Sequence, residues 1–237
     1  MHRLPRSGLF SGLVMATEFF ALGAGAAMLL LPLLLRTLQD PEFSIWPTPV
    51  HGGWQSVVFW TLFRGLNLTA VATALTDVSG FLGLPDAVRI AGLVAFCASG
   101  ALYLSALFAL GRSNTYCEPE GLVTHGIYRW TRNPQYATII PVFLSLAVAA
   151  DSAMTTALCL ALAAVYVLMA LTEEPWLAAA YGDSYTRYCR RVPRFFNWHR
   201  AFVLAKTWAR LLQRHAGRLL VPSGDELASG HGSRKRF

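Results

Sequence analysis

Gly121-Leu122-Val123-Thr124-His125-Gly126-Ile127-Tyr128-Arg129-Trp130-Thr131-Arg132-Asn133-Pro134-Gln135-Tyr136 leads into two apolar runs, 134–150 and 152–171. Beyond them stand Glu173-Glu174-Pro175-Trp176-Leu177 and Tyr181-Gly182-Asp183-Ser184-Tyr185-Thr186-Arg187-Tyr188-Cys189-Arg190-Arg191-Val192-Pro193-Arg194-Phe195-Phe196. Each apolar run is close to the roughly 20 residues that cross a hydrocarbon core. Only Asp151 separates them, which leaves room for nothing but a tight antiparallel turn. A hairpin returns both ends to one membrane face, so the polar blocks that bracket it converge there.

Outward from this hairpin, three more apolar runs precede it, at 9–35, 54–75 and 88–110. The first follows the basic start Met1-His2-Arg3-Leu4-Pro5-Arg6, as a signal peptide would. It continues far past the roughly 7–15 residues of a signal h-region, and so reads as an uncleaved span. Pro41, Pro47 and Pro49 break residues 36–53, because proline lacks an amide donor and obstructs helix propagation. That segment is a connection or a re-entrant piece at the interface. Residues 76–85, with Gly80 and Gly83, form a short turn.

Composition agrees. Of 237 residues, 54% are hydrophobic and 14% charged, against roughly 25% charged in soluble domains; the mean hydropathy is +0.43. The fold class is therefore all-α, a polytopic transmembrane bundle of about five spans. The net charge of +7 gathers mostly after Arg187, where it suits anionic lipid headgroups better than nucleic acid. The four cysteines, Cys97, Cys117, Cys159 and Cys189, show neither C-x-x-C pairing nor metal-ligand spacing.

Arg112, Arg129 and Arg132 precede the hairpin, and Arg187, Arg190, Arg191 and Arg194 follow it. Cytoplasmic loops are enriched in such residues, so both blocks are expected in the cytoplasm, against the vote of Arg3 and Arg6. Three parts result: a membrane domain at 1–196 with the motif-bearing part at 111–196, a basic amphipathic interfacial helix at 197–221, and a tail at 222–237 with no fold of its own. In the second part Trp198, Phe202, Trp208 and Leu212 alternate with Arg200, Lys206, Arg210 and Arg214.

Paired carboxylates at a membrane surface bind a cation: a metal, a basic side chain or an ammonium-bearing ligand. No His cluster or Glu-x-x-His accompanies Glu173 and Glu174, so no metal site is expected. The structural alternative is that they pair with Arg132 or Arg187 and pin the hairpin ends. Arg64, inside the second apolar run, and Glu18, inside the first, are intramembrane charges that could neutralise each other.

The ordered pattern resembles the integral-membrane methyltransferases that include isoprenylcysteine carboxyl methyltransferase and the phospholipid N-methyltransferases. Gly126, Tyr128, Arg132, Asn133, Pro134 and Tyr136 match the family's first block. Glu173, Glu174, Tyr181, Gly182, Tyr185, Tyr188, Arg191, Val192 and Pro193 match the second. The resemblance implies an enzyme that moves a methyl group from S-adenosylmethionine to a membrane-delivered or small lipophilic acceptor at the cytoplasmic face. By the same resemblance Glu120, Gly121, Leu122, Val123, Tyr128, Asn133, Pro134, Gln135, Tyr136 and Glu173 hold S-adenosylmethionine, with Arg132 and Glu174 beside them as orienting groups. The implied partners are the lipid bilayer and the acceptor.

Two departures bear on the acceptor. Asn133 stands where the family more often has histidine. Met169 stands where isoprenylcysteine enzymes place an arginine for the substrate carboxylate, one turn above the first glutamate. An amine, thiol or lipid acceptor is favoured accordingly. Two other classes share parts of the pattern: NADPH-dependent membrane sterol-type reductases, through Tyr188-Cys189 and Val192-Pro193, and a non-catalytic membrane assembly component that uses the hairpin for docking.

Overall fold

The computed structural model describes residues 6–50, 52–77, 79–110, 121–196 and 206, with side-chain surroundings from residue 12 onward. Glu120, Arg112 and Cys117, the interfacial helix at 197–221 apart from Lys206, and the tail at 222–237 lie outside the described residues. One compact unit ends at Phe196 and a second begins at Asn197; the first carries the architecture below. Its helices are α1 (Arg6–Gln39), α2 (Trp54–Thr76), α3 (Asp86–Leu110), α4 (Pro134–Ala150) and α5 (Ala153–Arg191), with one 3₁₀ turn at Gly126–Arg129. Among the described residues there is no strand.

The expected polytopic helical bundle is present. α1, α2, α3 and α5 are long and apolar enough to cross a membrane, and α4 is a shorter apolar helix. α5 differs from expectation in length: the helix expected to leave the membrane after Leu171 continues through Pro175 to Arg191. The stretch from Ala153 to the break at Gly182 would by itself extend about 44 Å at about 1.5 Å per residue, beyond a hydrocarbon core of about 30 Å. The C-terminal half of α5 carries both glutamates together with Tyr181, Tyr185 and Tyr188. At Gly182 (φ 52, ψ −129) the helix kinks, through backbone angles that residues with a Cβ rarely adopt.

α1 lies against α2 and α5, α3 against α4, and α4 against α5. The shared core contains Leu30, Leu34, Phe59, Leu66, Leu158, Leu162 and Val165, all essentially inaccessible. Outward-facing Met28, Leu29, Leu68, Leu93, Val94 and Phe108 are exposed, as hydrocarbon solvent permits. Arg64 lies with its guanidinium 4.9 Å from the centroid of the Trp60 ring one turn before it. Glu18 is not paired with it among the described ion pairs.

The far end of the hairpin is tied down by polar contacts. Asp151 adopts a left-handed backbone (φ 53), its carbonyl accepts from the Phe81 amide at 3.0 Å, and its carboxylate accepts from the Leu84 amide at 3.3 Å. Ser152 caps α5 by accepting from the Thr155 amide at 3.0 Å, and its hydroxyl donates to Asp77. Burial works to raise the Asp77 carboxyl, but hydrogen bonds from Ser152 and Ser79 outweigh it and hold the group below its usual value. The stability this contributes is present above the unfolded-state pKa and is lost as pH falls through the folded one.

α3 depends on one close approach. A Cβ at Gly92 would lie 2.9 Å from the Ala149 amide nitrogen and 3.0 Å from a Val148 methyl, whereas one at Gly100 meets nothing within 4 Å. Overpacking of this kind costs about 1–3 kcal/mol. Gly92→Leu is therefore expected to lower the thermal unfolding midpoint in detergent, and Gly100→Leu to leave it unchanged or raise it. Equal midpoints for the two variants would contradict this account of how α3 is held.

Candidate active site

The two polar blocks form one module. The Thr131 hydroxyl and the Asn133 side-chain amide both donate to the Arg194 carbonyl, at 3.0 and 3.1 Å. The Arg132 amide donates to the Pro193 carbonyl at 2.9 Å, and the Tyr188 hydroxyl donates to the Tyr128 carbonyl at 2.7 Å. The Arg-Asn-Pro segment is thus bonded directly to the Arg-Val-Pro segment some 60 residues later. Gly126, at φ 60, opens the 3₁₀ turn that presents Tyr128. Pro134 starts α4 at its first turn, where its fixed φ suits the helix and no amide donor is missed.

The two glutamates have different partners. Successive helical residues point about 100° apart, since a turn takes about 3.6 residues, so Glu173 and Glu174 cannot share one direction. Glu174 sits between two arginines: Arg132 Nη2 lies 3.1 Å from its Oε1, while Arg194 Nε and Nη2 donate to Oε1 and Oε2 at 2.7 and 2.6 Å. The hydrogen bond to Glu174 raises the Arg194 pKa above its ordinary value. Glu173 instead accepts at Oε1 from the Trp46 indole nitrogen at 2.8 Å and from the Tyr136 hydroxyl.

Glu173 opens onto a cleft at the open end of the hairpin. Of the candidates named from the sequence, Gly121, Leu122, Val123, Tyr128, Arg132, Asn133, Gln135, Tyr136 and Glu173 line it. Pro134 and Glu174 do not line it: the first is buried at the start of α4 and the second is engaged by the arginines. Glu120 lies outside the described residues. Trp176, Leu177, Tyr181, Tyr185 and Tyr188 complete the wall, with Leu110 from α3. The Tyr128 and Tyr185 hydroxyls are buried and lack a well-formed hydrogen bond among the described residues. Burial is also the main cause that raises the Tyr128 hydroxyl above its usual range. Polar groups left in this state suit a ligand that brings hydrogen-bonding atoms.

Trp46 is the residue that sequence reasoning missed. It comes from the proline-broken connection, and its bond to Glu173 spans 127 residues. Only tertiary folding makes that contact. Met169, one turn before Glu173, is buried at 3% exposure. Among the described residues no group of three or more His, Cys, Asp or Glu side chains could hold a metal ion.

Residues 87–184 match the model of the phospholipid methyltransferase family. This match, over part of the chain, is consistent with an integral-membrane methyltransferase of the type that includes the isoprenylcysteine carboxyl and phospholipid enzymes. It is also similar to the cobalt-zinc-cadmium resistance protein CzcN of Cupriavidus metallidurans, 37% identical over 92 residues, which are 38% of this chain. That match covers 40% of the relative's length. No solved structure matches.

Glu174 holds two arginines, one of which, Arg132, has a side chain only 12% exposed. Removing one member of such a pair leaves an uncompensated charge and typically costs about 3–5 kcal/mol. Glu174→Ala is expected to destabilise by an amount near the lower end of that range, because Arg194 is 41% exposed and can turn to solvent. Chemical denaturation of the purified variant measures it, and wild-type stability would rule out the clamp.

Proposed function

We propose that the protein transfers a methyl group from S-adenosylmethionine to a lipophilic acceptor supplied by the membrane, on the cytoplasmic side. The observation that carries this reading is the convergence of Tyr128, Asn133, Gln135, Tyr136 and Glu173 on one cleft at the open end of the hairpin. S-adenosylmethionine, when bound, supplies an electrophilic methyl on a sulfonium, which becomes a neutral thioether as the new bond forms.

The roles of the residues follow from their contacts. Trp46 and Tyr136 both engage Oε1 of Glu173, so the carboxylate is fixed in orientation and Oε2 takes part in neither bond. A fixed carboxylate suits the ammonium of an amino-acid moiety. The tyrosine rings of the cleft offer faces to a sulfonium or to adenine. Leu110, Leu122, Val123 and Leu177 make part of the wall apolar. Arg132 is committed to Glu174, so its role is to hold the module together. Alignment is the main demand on the protein, since positioned reactants reach effective molarities of about 10⁵–10⁸ M. No obligate general base is assigned. The arginines of both blocks support the cytoplasmic orientation.

Glu173→Gln is expected to weaken S-adenosylmethionine binding by about tenfold or more, because a hydrogen bond to a charged group contributes about 1.5–3 kcal/mol. Equilibrium titration of purified wild type and variant with S-adenosylmethionine, and with NADPH in parallel, reads this out. Unchanged affinity removes Glu173 from the site, and tight NADPH binding with none of S-adenosylmethionine replaces the reading with a reductase. The orientation has its own check. Cysteines introduced singly at Ser113 and Ser223 are expected to label from the same membrane side, the cytoplasmic one, and labelling from opposite sides would contradict it.

A further inference from the structure

A second cavity, with about 670 Å³ of empty space, adjoins the first. Its walls are aromatic: Trp46, Trp60, Phe63, Tyr103 and Tyr166, with Met169 among them. None of its lining residues carries a charge. The rings hold one another in place, with Trp46 edge-on to Trp60 at 5.6 Å and Phe63 edge-on to Tyr166 at 5.5 Å. The Tyr166 hydroxyl is satisfied by Asn67 at 2.7 Å.

Gln135 and Tyr136 line both cavities. Tyr136 and Trp46 contribute to this apolar pocket while their polar ends donate to Glu173, which lines the cleft. One carboxylate oxygen therefore joins the two spaces. α2 supplies Trp60 and Phe63, and α3 supplies Tyr103 and Leu107. Those two helices are not among the extensively packed pairs, each lying chiefly against others.

We propose that this aromatic pocket is the acceptor subsite, and that it takes an uncharged, lipid-dissolved thiol on an apolar chain, arriving between α2 and α3. The assignment rests on the methyl-transfer reading above. Chemistry narrows the class. Near pH 7 an alkylamine, with a pKa of about 10.4, and a carboxylic acid, with one of about 4, are both ionised, whereas a thiol of about 8.5 is mostly neutral. A carboxylate in this pocket would find no counter-ion among the lining residues, and an ammonium would have to compete with that of S-adenosylmethionine for Glu173; burial of an ion without a partner is heavily penalised. In the transfer the acceptor sulfur forms a bond to the methyl carbon as the methyl–sulfonium bond breaks. The thiol proton leaves to water through the open cleft, and the cosubstrate departs as a neutral thioether.

The test uses the full chain in phosphatidylcholine nanodiscs with radiolabelled S-adenosylmethionine and three probes of equal chain length: dodecanethiol, dodecylamine and dodecanoate. Dodecanethiol is expected to be methylated at least about tenfold faster than either ion, following the neutral fractions above. Leu107→Trp, which fills the pocket, is expected to lower kcat/KM for dodecanethiol about tenfold with the S-adenosylmethionine Kd unchanged within about twofold. Retained cosubstrate binding doubles as the folding check. If Leu107→Trp loses it, Phe63→Leu takes its place and is expected to raise the dodecanethiol KM alone. Faster transfer to either ion, or pocket variants with unchanged kcat/KM and intact cosubstrate binding, overturns the subsite while the methyl-transfer reading stands. A wild type that binds no S-adenosylmethionine overturns that reading, and the subsite with it.

Discussion

The site depends on the fork of charge-assisted bonds that Glu174 makes to Arg132 and Arg194. Glu174 is on α5, Arg132 precedes α4, and Arg194 follows the end of α5. One carboxylate therefore ties three separate pieces of chain together at the open end of the hairpin. The backbone bonds from Thr131, Arg132 and Asn133 to residues 193 and 194 reinforce the same junction. Charge-assisted bonds are the stronger class of hydrogen bond, and partial burial limits their screening by salt. The opposite end of the hairpin is anchored in the same currency, by Asp151 and by Ser152 with Asp77. With both ends fixed, α4 and the first half of α5 act as a rigid frame.

That frame lets neighbouring residues do unlike work. Glu174 is spent on structure, which leaves Glu173 to face the cleft with its orientation set by Trp46 and Tyr136. The separation follows from helical geometry alone, since adjacent side chains diverge by about 100°. A paired acidic motif in a helix serves two directions at once, and only one of them lines the cleft. The kink at Gly182 completes the arrangement, with Tyr185 and Tyr188 buried on the wall beyond it.

Much of this was legible in the residues. The apolar runs, the one-residue turn at Asp151 and the arginine-rich flanks define a helical hairpin with converging ends, because hydrocarbon leaves the backbone no cheaper way to satisfy its amides. The motif blocks name most residues of the cleft. Other features were not legible. The length of α5 is not legible because the charges from Glu173 onward end the apolar run without ending the helix; Pro175 is accommodated there. Trp46 was invisible because it lies in a proline-broken connection that carries no periodicity. The allocation of Asn133 to a backbone latch, and of Arg132 to Glu174, could not be separated from ligand binding by residue type, since the same donors serve either purpose.

The sequence by itself determined that this chain is a bundle of membrane helices and that two polar blocks meet at one face. Both follow from hydrophobic run length and turn length, which are local properties of the chain. Only the tertiary structure decided which carboxylate lines the cleft, and which tryptophan is bonded to it. It alone decided that an uncharged aromatic pocket adjoins the cleft. Those outcomes depend on side-chain directions and on contacts across as many as 127 residues, and neither composition nor spacing encodes them.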